Sequence, residues 1–351
     1  MAVKKKQHFV PKFYLKNFST NLDQTHIGLY HIPSKNFIVE ADLSNQAYDD
    51  YFYGKDGIIE NNLSELENKA RHPLKEVINK KSLPSKNSED YLVIWAFTLI
   101  QDGRTFAQAK EMNESINSQL KEVMKHDITV KDKIDGLVFK LKDAPVFTLS
   151  VLQSVMYTAR DLSCKLIYNK TNLPFITSDH PVVKYNQFLE NRKFDGGRTG
   201  LATKGLQLFF PIHPNFLLLF YDSKVYKVGG RKRDLITVEN EDEINNMNLL
   251  QSLNCDEILY FNKSINKNYL EILIQNRERF YVKNRHVTEK VGTDVKPNGD
   301  IGELFRTYYI DIGIKLNLSF IKETDHAKKF KFTGYAVELR DESLRGTMHN
   351  F

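Results

Sequence analysis

The apolar pattern changes period at about residue 162, and this change constrains the fold more than any other feature of the sequence. Before it, helical spacing dominates. From Glu60 to about Asn79, Leu63, Leu66, Ala70, Leu74, Val77 and Ile78 recur on one helical face, with Pro73 expected to kink or divide the helix. Ser88 is a good N-cap followed by Glu89 and Asp90, and it predicts a longer helix running past Lys110. Ala144–Leu162 predicts another, with Pro145 in its first turn. One short hairpin precedes them: His26–Ile32 and Asn36–Glu40 flank the turn Pro33-Ser34-Lys35.

Beyond residue 162 short β-leaning runs take over, at Cys164–Tyr168, Val182–Tyr185, Leu206–Ile212, Phe216–Tyr221, Lys224–Val228 and Leu235–Val238. Gly229-Gly230 reads as a hairpin turn between the last two. A helix over Glu241–Leu253, a strand over Glu257–Phe261 and a helix over Asn266–Tyr281 follow. Asp195–Gly205 reads as a mobile loop, and a strand-like run returns at Phe330–Leu339. The expected fold is α+β, a helical N-terminal portion packed on a mixed or antiparallel sheet. Its expected portions are a mainly helical 1–162 with an N-terminal anchor and a short hairpin, an α+β sheet portion over 163–320, and a charged tail over 321–351 carrying one last strand.

Composition removes several classes. Hydrophobic residues make up 41% of 351, enough to bury a core, which excludes a disordered chain. Two cysteines, Cys164 and Cys255, are too few for a disulfide framework. Met1 to Lys6 is basic but no apolar segment of a signal peptide follows it. The richest apolar stretches, Tyr91–Ile100 and Leu206–Tyr221, are too short or too broken by Pro211 and Pro214 to span a bilayer. A cytoplasmic protein without a membrane partner is expected. Among nucleotide and metal motifs, the chain lacks GxxxxGK[ST], HExxH, paired CxxC, and GxGxxG after a strand. The net charge of +6 permits a nucleic-acid partner without demanding one. It is clustered: Lys4, Lys5, Lys6, Lys12 and Lys16; Lys224, Lys227, Arg231, Lys232 and Arg233; Arg277, Arg279, Lys283 and Arg285.

Polar residues inside apolar motifs are the candidates for chemistry. Gln7-His8-Phe9-Val10-Pro11 and the aromatic run after it are too apolar for a fraying terminus, so the segment must dock. His8 is then either part of a packed anchor or an acid, base or ligand in a cleft. At about 100° per residue, Glu67 falls near 40° from Leu63, inside the apolar stripe, with Glu60 beside it. Gln101, Arg104 and Gln108 share a face of the next helix; Arg104 pairs with Glu67 or Glu60, or binds a carboxylate or phosphate. Gly103 suggests close helix packing. Asp179-His180-Pro181 sits between two β-leaning runs, a natural rim position, with Asp179 otherwise a turn residue. His213 in Pro211-Ile212-His213-Pro214 reads as mainly structural, and the Asp195–Gly205 segment could cradle phosphate with Arg198 and Lys204.

QHFVPKFYLKNF resembles the start of a family of bacterial proteins of unknown function that open with Gln-His-Tyr/Phe-Val-Pro followed by Tyr-Leu and an aromatic. The resemblance continues at Phe97–Arg104 (FTLIQDGR), Phe175–Val182 (FITSDHPV), Phe209–Pro214 (FFPIHP) and Asn248–Phe261. It implies a shared site and no particular reaction.

Three functional readings remain. The first is an enzyme of nuclease type, a hydrolase acting on nucleic acid or another phosphate-bearing substrate, in the setting of a bacterial defence or toxin-type effector. There His8 is acid or base, Arg104 stabilises developing phosphate charge, and Glu67 with Asp179 form the catalytic carboxylates and hold a divalent metal such as Mg. Lys12, Gln101, His180, Arg231, Lys232 and Arg233 would bind substrate. The second reading is a non-catalytic sensor or effector binding nucleic acid or protein; the third is a non-nucleotide hydrolase using the same cleft.

Overall fold

A computed structural model describes residues 4–125, 133–194, 196–230, 233–295, 299–331, 338–341 and 343. In chain order its elements are β1 (Lys6–His8), α1 (Lys12–Leu15), β2 (His26–His31), β3 (Asn36–Asp42), β4 (Tyr48–Asp50), α2 (Ile58–Lys80), α3 (Glu89–Gly103), α4 (Phe106–Met124) and α5 (Ala144–Val155). Then come β5 (Ser163–Asn169), β6 (Thr177–Ser178), β7 (Val183–Tyr185), α6 (Gln187–Asn191), β8 (Gln207–His213), β9 (Phe216–Tyr221), β10 (Tyr226–Val228) and β11 (Leu235–Val238). The last are α7 (Glu241–Asn254), β12 (Ile258–Phe261), α8 (Lys267–Glu278), β13 (His286–Val295), β14 (Ile301–Tyr309), β15 (Ile321–Glu323) and α9 (Asp325–Lys329).

The fold is α+β. A five-stranded mixed sheet runs β11-β5-β9-β8-β7, with β11 parallel to β5 and the other pairs antiparallel. Strands β8 and β9 are apolar at nearly every position because both faces of the sheet are covered. Alternate residues go to different cores. Leu217 and Leu219 join the α7 and α8 side chains Ile244, Leu250, Leu270 and Leu273. Phe216, Leu218 and Phe220 join Tyr14 and Phe18 of the N-terminal segment, Leu74 of α2 and Ile94 of α3. This second core draws on residues from both sides of position 162, so the helical portion is packed directly on the sheet. A four-stranded antiparallel sheet, β3-β2-β12-β6, further ties the N-terminal hairpin to β12.

Several local expectations change. Pro73 lies inside α2, which runs unbroken past it; the ring is buried, offsetting one lost backbone bond. The helix starting after Ser88 stops at Gly103, and Thr105 caps a new one, its Oγ1 accepting from Gln108 N at 3.3 Å. The stop brings α3 against α5, where a Cβ on Gly103 would sit 2.5 Å from Leu152 Cδ2. Gly229-Gly230 does not close a hairpin: β10 pairs with β15, and β11 runs parallel to β5. The described part of the 196–205 segment is bonded along its length, with Asn186 Nδ2 donating to Arg198 O (2.8 Å) and Lys204 O (2.9 Å). Most of the expected Phe330–Leu339 run lies outside the described residues. Among the described residues no helix is long and apolar enough to cross a membrane.

Candidate functional site

The corner between α3 and α4 is where the singled-out motifs meet. Arg104 is 1% exposed, and its guanidinium donates to Glu67 Oε1 (2.8 Å), His8 O (2.7 Å) and Tyr53 Oη (3.3 Å). Burial opposes its charge, but Tyr53 and Glu67 more than offset that and raise its pKa. Gln101, fully buried, donates to Phe9 O at 2.9 Å, and Gln7 receives Tyr53 N at 2.6 Å. Tyr14 Oη donates to Pro211 O at 2.6 Å and its ring stacks on Phe210 at 5.1 Å. The apolar N-terminal segment is thus docked by side chains from α2, α3 and β8, as its composition required.

Arg104, Glu67 and Gln101 are engaged within the protein: Arg104 donates to Glu67 and to His8 O, and Gln101 donates to Phe9 O. The His8 ring lies against Tyr48 at 5.5 Å; burial, with Lys12 nearby, lowers its pKa to about 4, so it is neutral near pH 7. Glu60, beside Arg104, is pushed up by burial. Asp179 takes separate partners: its carboxylate accepts from the backbone N–H groups of Asp256 (3.0 Å), Glu257 (2.8 Å) and Ile258 (2.9 Å). Burial still raises its pKa against those bonds. Glu67 and Asp179 thus have different partners, and among the described residues no group of three or more His, Cys, Asp or Glu is placed to hold a metal. Arg231 and Lys232 lie outside the described residues; Arg233 is exposed, its carbonyl accepting from Lys165 Nζ at 2.7 Å. Lys12 is exposed on a different concavity.

His180 reaches a separate cavity, one of about 450 Å³. The ring is 2% exposed, and Nδ1 lies 2.7 Å from Thr105 Oγ1. Thr105 is fully buried, and its oxygen also accepts from Gln108 N, so one hydroxyl serves both the α4 cap and the His180 ring. Nε2 stands 3.9 Å from Asp102 Oδ1, a buried oxygen with no hydrogen-bond partner. The other Asp102 oxygen receives Lys184 Nζ at 2.9 Å. Burial works against the Lys184 charge, and the Asp102 carboxylate reverses that, so its pKa is raised. The side-chain amides of Gln251 and Asn254 donate to His180 O at 3.1 and 2.7 Å and fix the turn itself.

Lys184, on β7, lines the same cavity, as do Arg285, His286 and Tyr309 of the β13–β14 arm and the 197–203 segment. Arg285 donates to Tyr309 Oη (2.7 Å), which donates to Glu111 Oε1 of α4 (2.7 Å). Burial lowers the pKa of His286, whose Nε2 is buried without a partner. Asp311 holds the 197–203 segment by accepting from Arg198 N (2.5 Å) and Thr199 Oγ1. Sequence reading missed Lys184 and Asp102, and placed Arg285 only in a basic cluster. Asp102 stood between two named residues, Gln101 and Arg104.

The chain belongs to the family described as protein of unknown function DUF4238, which matches residues 6–264. No curated protein and no solved structure matches it. The matched residues include His180, Lys184, Asp102 and the 197–203 segment; the wall made by Arg285, His286, Tyr309 and Asp311 lies beyond them.

Proposed function

We propose that the protein is a hydrolase of phosphate esters, acting on a nucleic acid or nucleotide whose phosphate enters the His180–Lys184 cavity. One observation carries the reading: Lys184 of β7, His180 of the turn before it and Arg285 just before β13 line one cavity of about 450 Å³. That size is within the range of small-ligand sites. Lys184 has donors beyond the one used on Asp102, and Arg285 makes no ion pair at salt-bridge distance among the described residues. Two cations and an imidazole suit a phosphate oxygen set and the charge it gains during displacement. The unpartnered Asp102 Oδ1 beside His180 supplies the proton-handling group. In this reading Arg104, Glu67 and Asp179 act at a distance, by holding the N-terminal segment and the 256–258 backbone around the corner that carries Asp102 and Thr105.

The test is incubation of purified protein with labelled single-stranded RNA, single-stranded DNA and mononucleotide esters, with Mg and with a chelator. His180→Gln and Lys184→Gln, which keep a donor toward Asp102 or Thr105, should abolish cleavage while melting near the wild-type temperature. Cleavage that survives both substitutions would move the chemistry elsewhere. Phosphate-dependent binding without cleavage by the wild type would favour the sensor reading.

A further inference from the structure

Most lysines of the N-terminal cluster have partners. Lys4 approaches Glu60 at 3.8 Å, Lys5 pairs with Asp50 at 2.8 Å, and Lys6 donates to Asn45 at 2.8 Å while covering the Tyr48 ring. On α2, Lys69 pairs with Glu65 and Lys80 with Glu76. Four cations in the same two regions make no ion pair among the described residues: Lys12, Lys16, Arg71 and Lys75. All four line one groove of about 760 Å³, and no Asp or Glu lines it. Glu76, next to Lys75 in sequence, is taken by Lys80 at 2.5 Å.

The rest of the groove carries fixed polar side chains and an oriented cation. His213 Nδ1 accepts from Asn215 N at 3.1 Å, so its ring hydrogen sits on Nε2, and burial lowers its pKa to about 4. Its ring is therefore a fixed neutral donor near pH 7. The Asn17 amide is held by donation to Ile212 O at 3.0 Å. The Arg71 guanidinium lies over the Phe13 ring at 5.6 Å, which orients a planar cation for stacking. Leu22, fully exposed, adds an apolar contact at the rim.

We propose that this groove binds a single strand of nucleic acid, with Lys12, Lys16, Arg71 and Lys75 on successive phosphates and a base against Arg71. Clustering of the uncompensated cations in one concavity, while neighbouring lysines are paired, is what separates it from an ordinary basic surface. Single-strand sites combine a positive groove with stacking faces, and both are present here. The inference stands on the groove alone and does not need cleavage in the His180 cavity.

The experiment is fluorescence anisotropy of a short labelled oligo(dT) and oligo(U) on the full chain at increasing salt. With four phosphate contacts the slope of log affinity against log salt should be about −3. Lys12→Ala with Lys16→Ala should reduce its magnitude by about 1.4. Arg71→Glu with Lys75→Glu should weaken binding at low salt by more than about tenfold, as counterion release is lost and repulsion is added. Circular dichroism melts check that each variant is folded; all four side chains are exposed, so no core contact is removed. Oligonucleotide binding lost in the folded groove variants establishes the groove, whatever becomes of the cleavage reading. Unchanged affinity and slope in folded groove variants, no binding by the wild type, or equal affinity for a duplex of the same length would overturn it.

Discussion

Thr105 Oγ1 lies 2.7 Å from His180 Nδ1, joining the first residue before α4 to the turn after β6. One residue upstream, Arg104 holds the N-terminal segment through His8 O at 2.7 Å. Two residues further up, Asp102 meets Lys184 at 2.9 Å. Three positions of one corner, 102, 104 and 105, thus connect it to the N-terminal segment and to the 180–184 stretch, because ending one helix and capping the next points successive side chains in different directions.

Thr105→Val removes both the cap on Gln108 N and the bond to His180 Nδ1. A lost cap costs about 1 kcal/mol and a lost hydrogen bond about 1 kcal/mol more. Denaturant unfolding should show a loss of about 2 kcal/mol, with Thr105→Ser near wild type, and the ring nitrogen chemical shifts of His180 should change. Unchanged ring shifts in the Val variant would mean that Thr105 does not bond the ring.

Arg104→Ala should be a stability mutation. Breaking a buried ion pair costs about 3–5 kcal/mol. The Glu67 side chain is 21% exposed, so water reaches it, and the lower end of that range is expected. Arg104→Lys should also be destabilised, since one ammonium cannot serve Glu67, His8 O and Tyr53 together. A loss below about 1 kcal/mol in both variants would contradict the anchoring role.

His8 and His213 give a pH dependence. Both have folded pKa values of about 4, below the ordinary histidine value, so between about pH 6.5 and 4 the unfolded chain binds protons that the folded one does not. Their contribution is fully present above about pH 6.5 and is lost as pH falls toward 4. Urea unfolding across that window should show stability rising with pH, less steeply in His8→Gln and His213→Gln. Slopes identical to wild type would place those rings in water.

The α+β architecture was legible because periodicity reports burial of faces, and β8 and β9 read as apolar throughout because they are buried on both. The break at Gly103 was also present in the sequence: Thr105 followed by Gln108 is a capping-box pattern. The pattern was hidden by an apolar stretch that reads as continuous helix. The arm β13–β14 went unread, since its solvent-facing residues mask strand alternation. Arg104 and Glu67 were recognisable as polar groups that need partners, but periodicity cannot say whether the partner is a ligand or another side chain. Lys184 looked like an ordinary polar position in a strand; only the approach of Asp102 from α3 makes it a site residue.

Asp179→Ala leaves three backbone N–H groups, of residues 256–258, without their acceptor. Buried unsatisfied donors cost about 1–3 kcal/mol each when water cannot replace the partner, so a loss of at least about 2 kcal/mol is expected. Hydrogen exchange at those three amides should accelerate first. Protection equal to wild type would show that Asp179 does not hold the β12 entry.

The most direct measurement is calorimetric titration of wild type, Lys184→Gln and Arg285→Gln with a 5′-mononucleotide and with its nucleoside. Lys184 and Arg285 line the cavity beside His180. Charge-assisted bonds of about 1.5–3 kcal/mol each correspond to at least about tenfold in affinity per cation. The expected result is wild-type binding of the nucleotide well above the nucleoside, with each substitution lowering nucleotide affinity at least about tenfold and leaving the nucleoside unchanged. Equal affinity for nucleotide and nucleoside, or nucleotide binding untouched by both substitutions in folded protein, would contradict a phosphate site at Lys184.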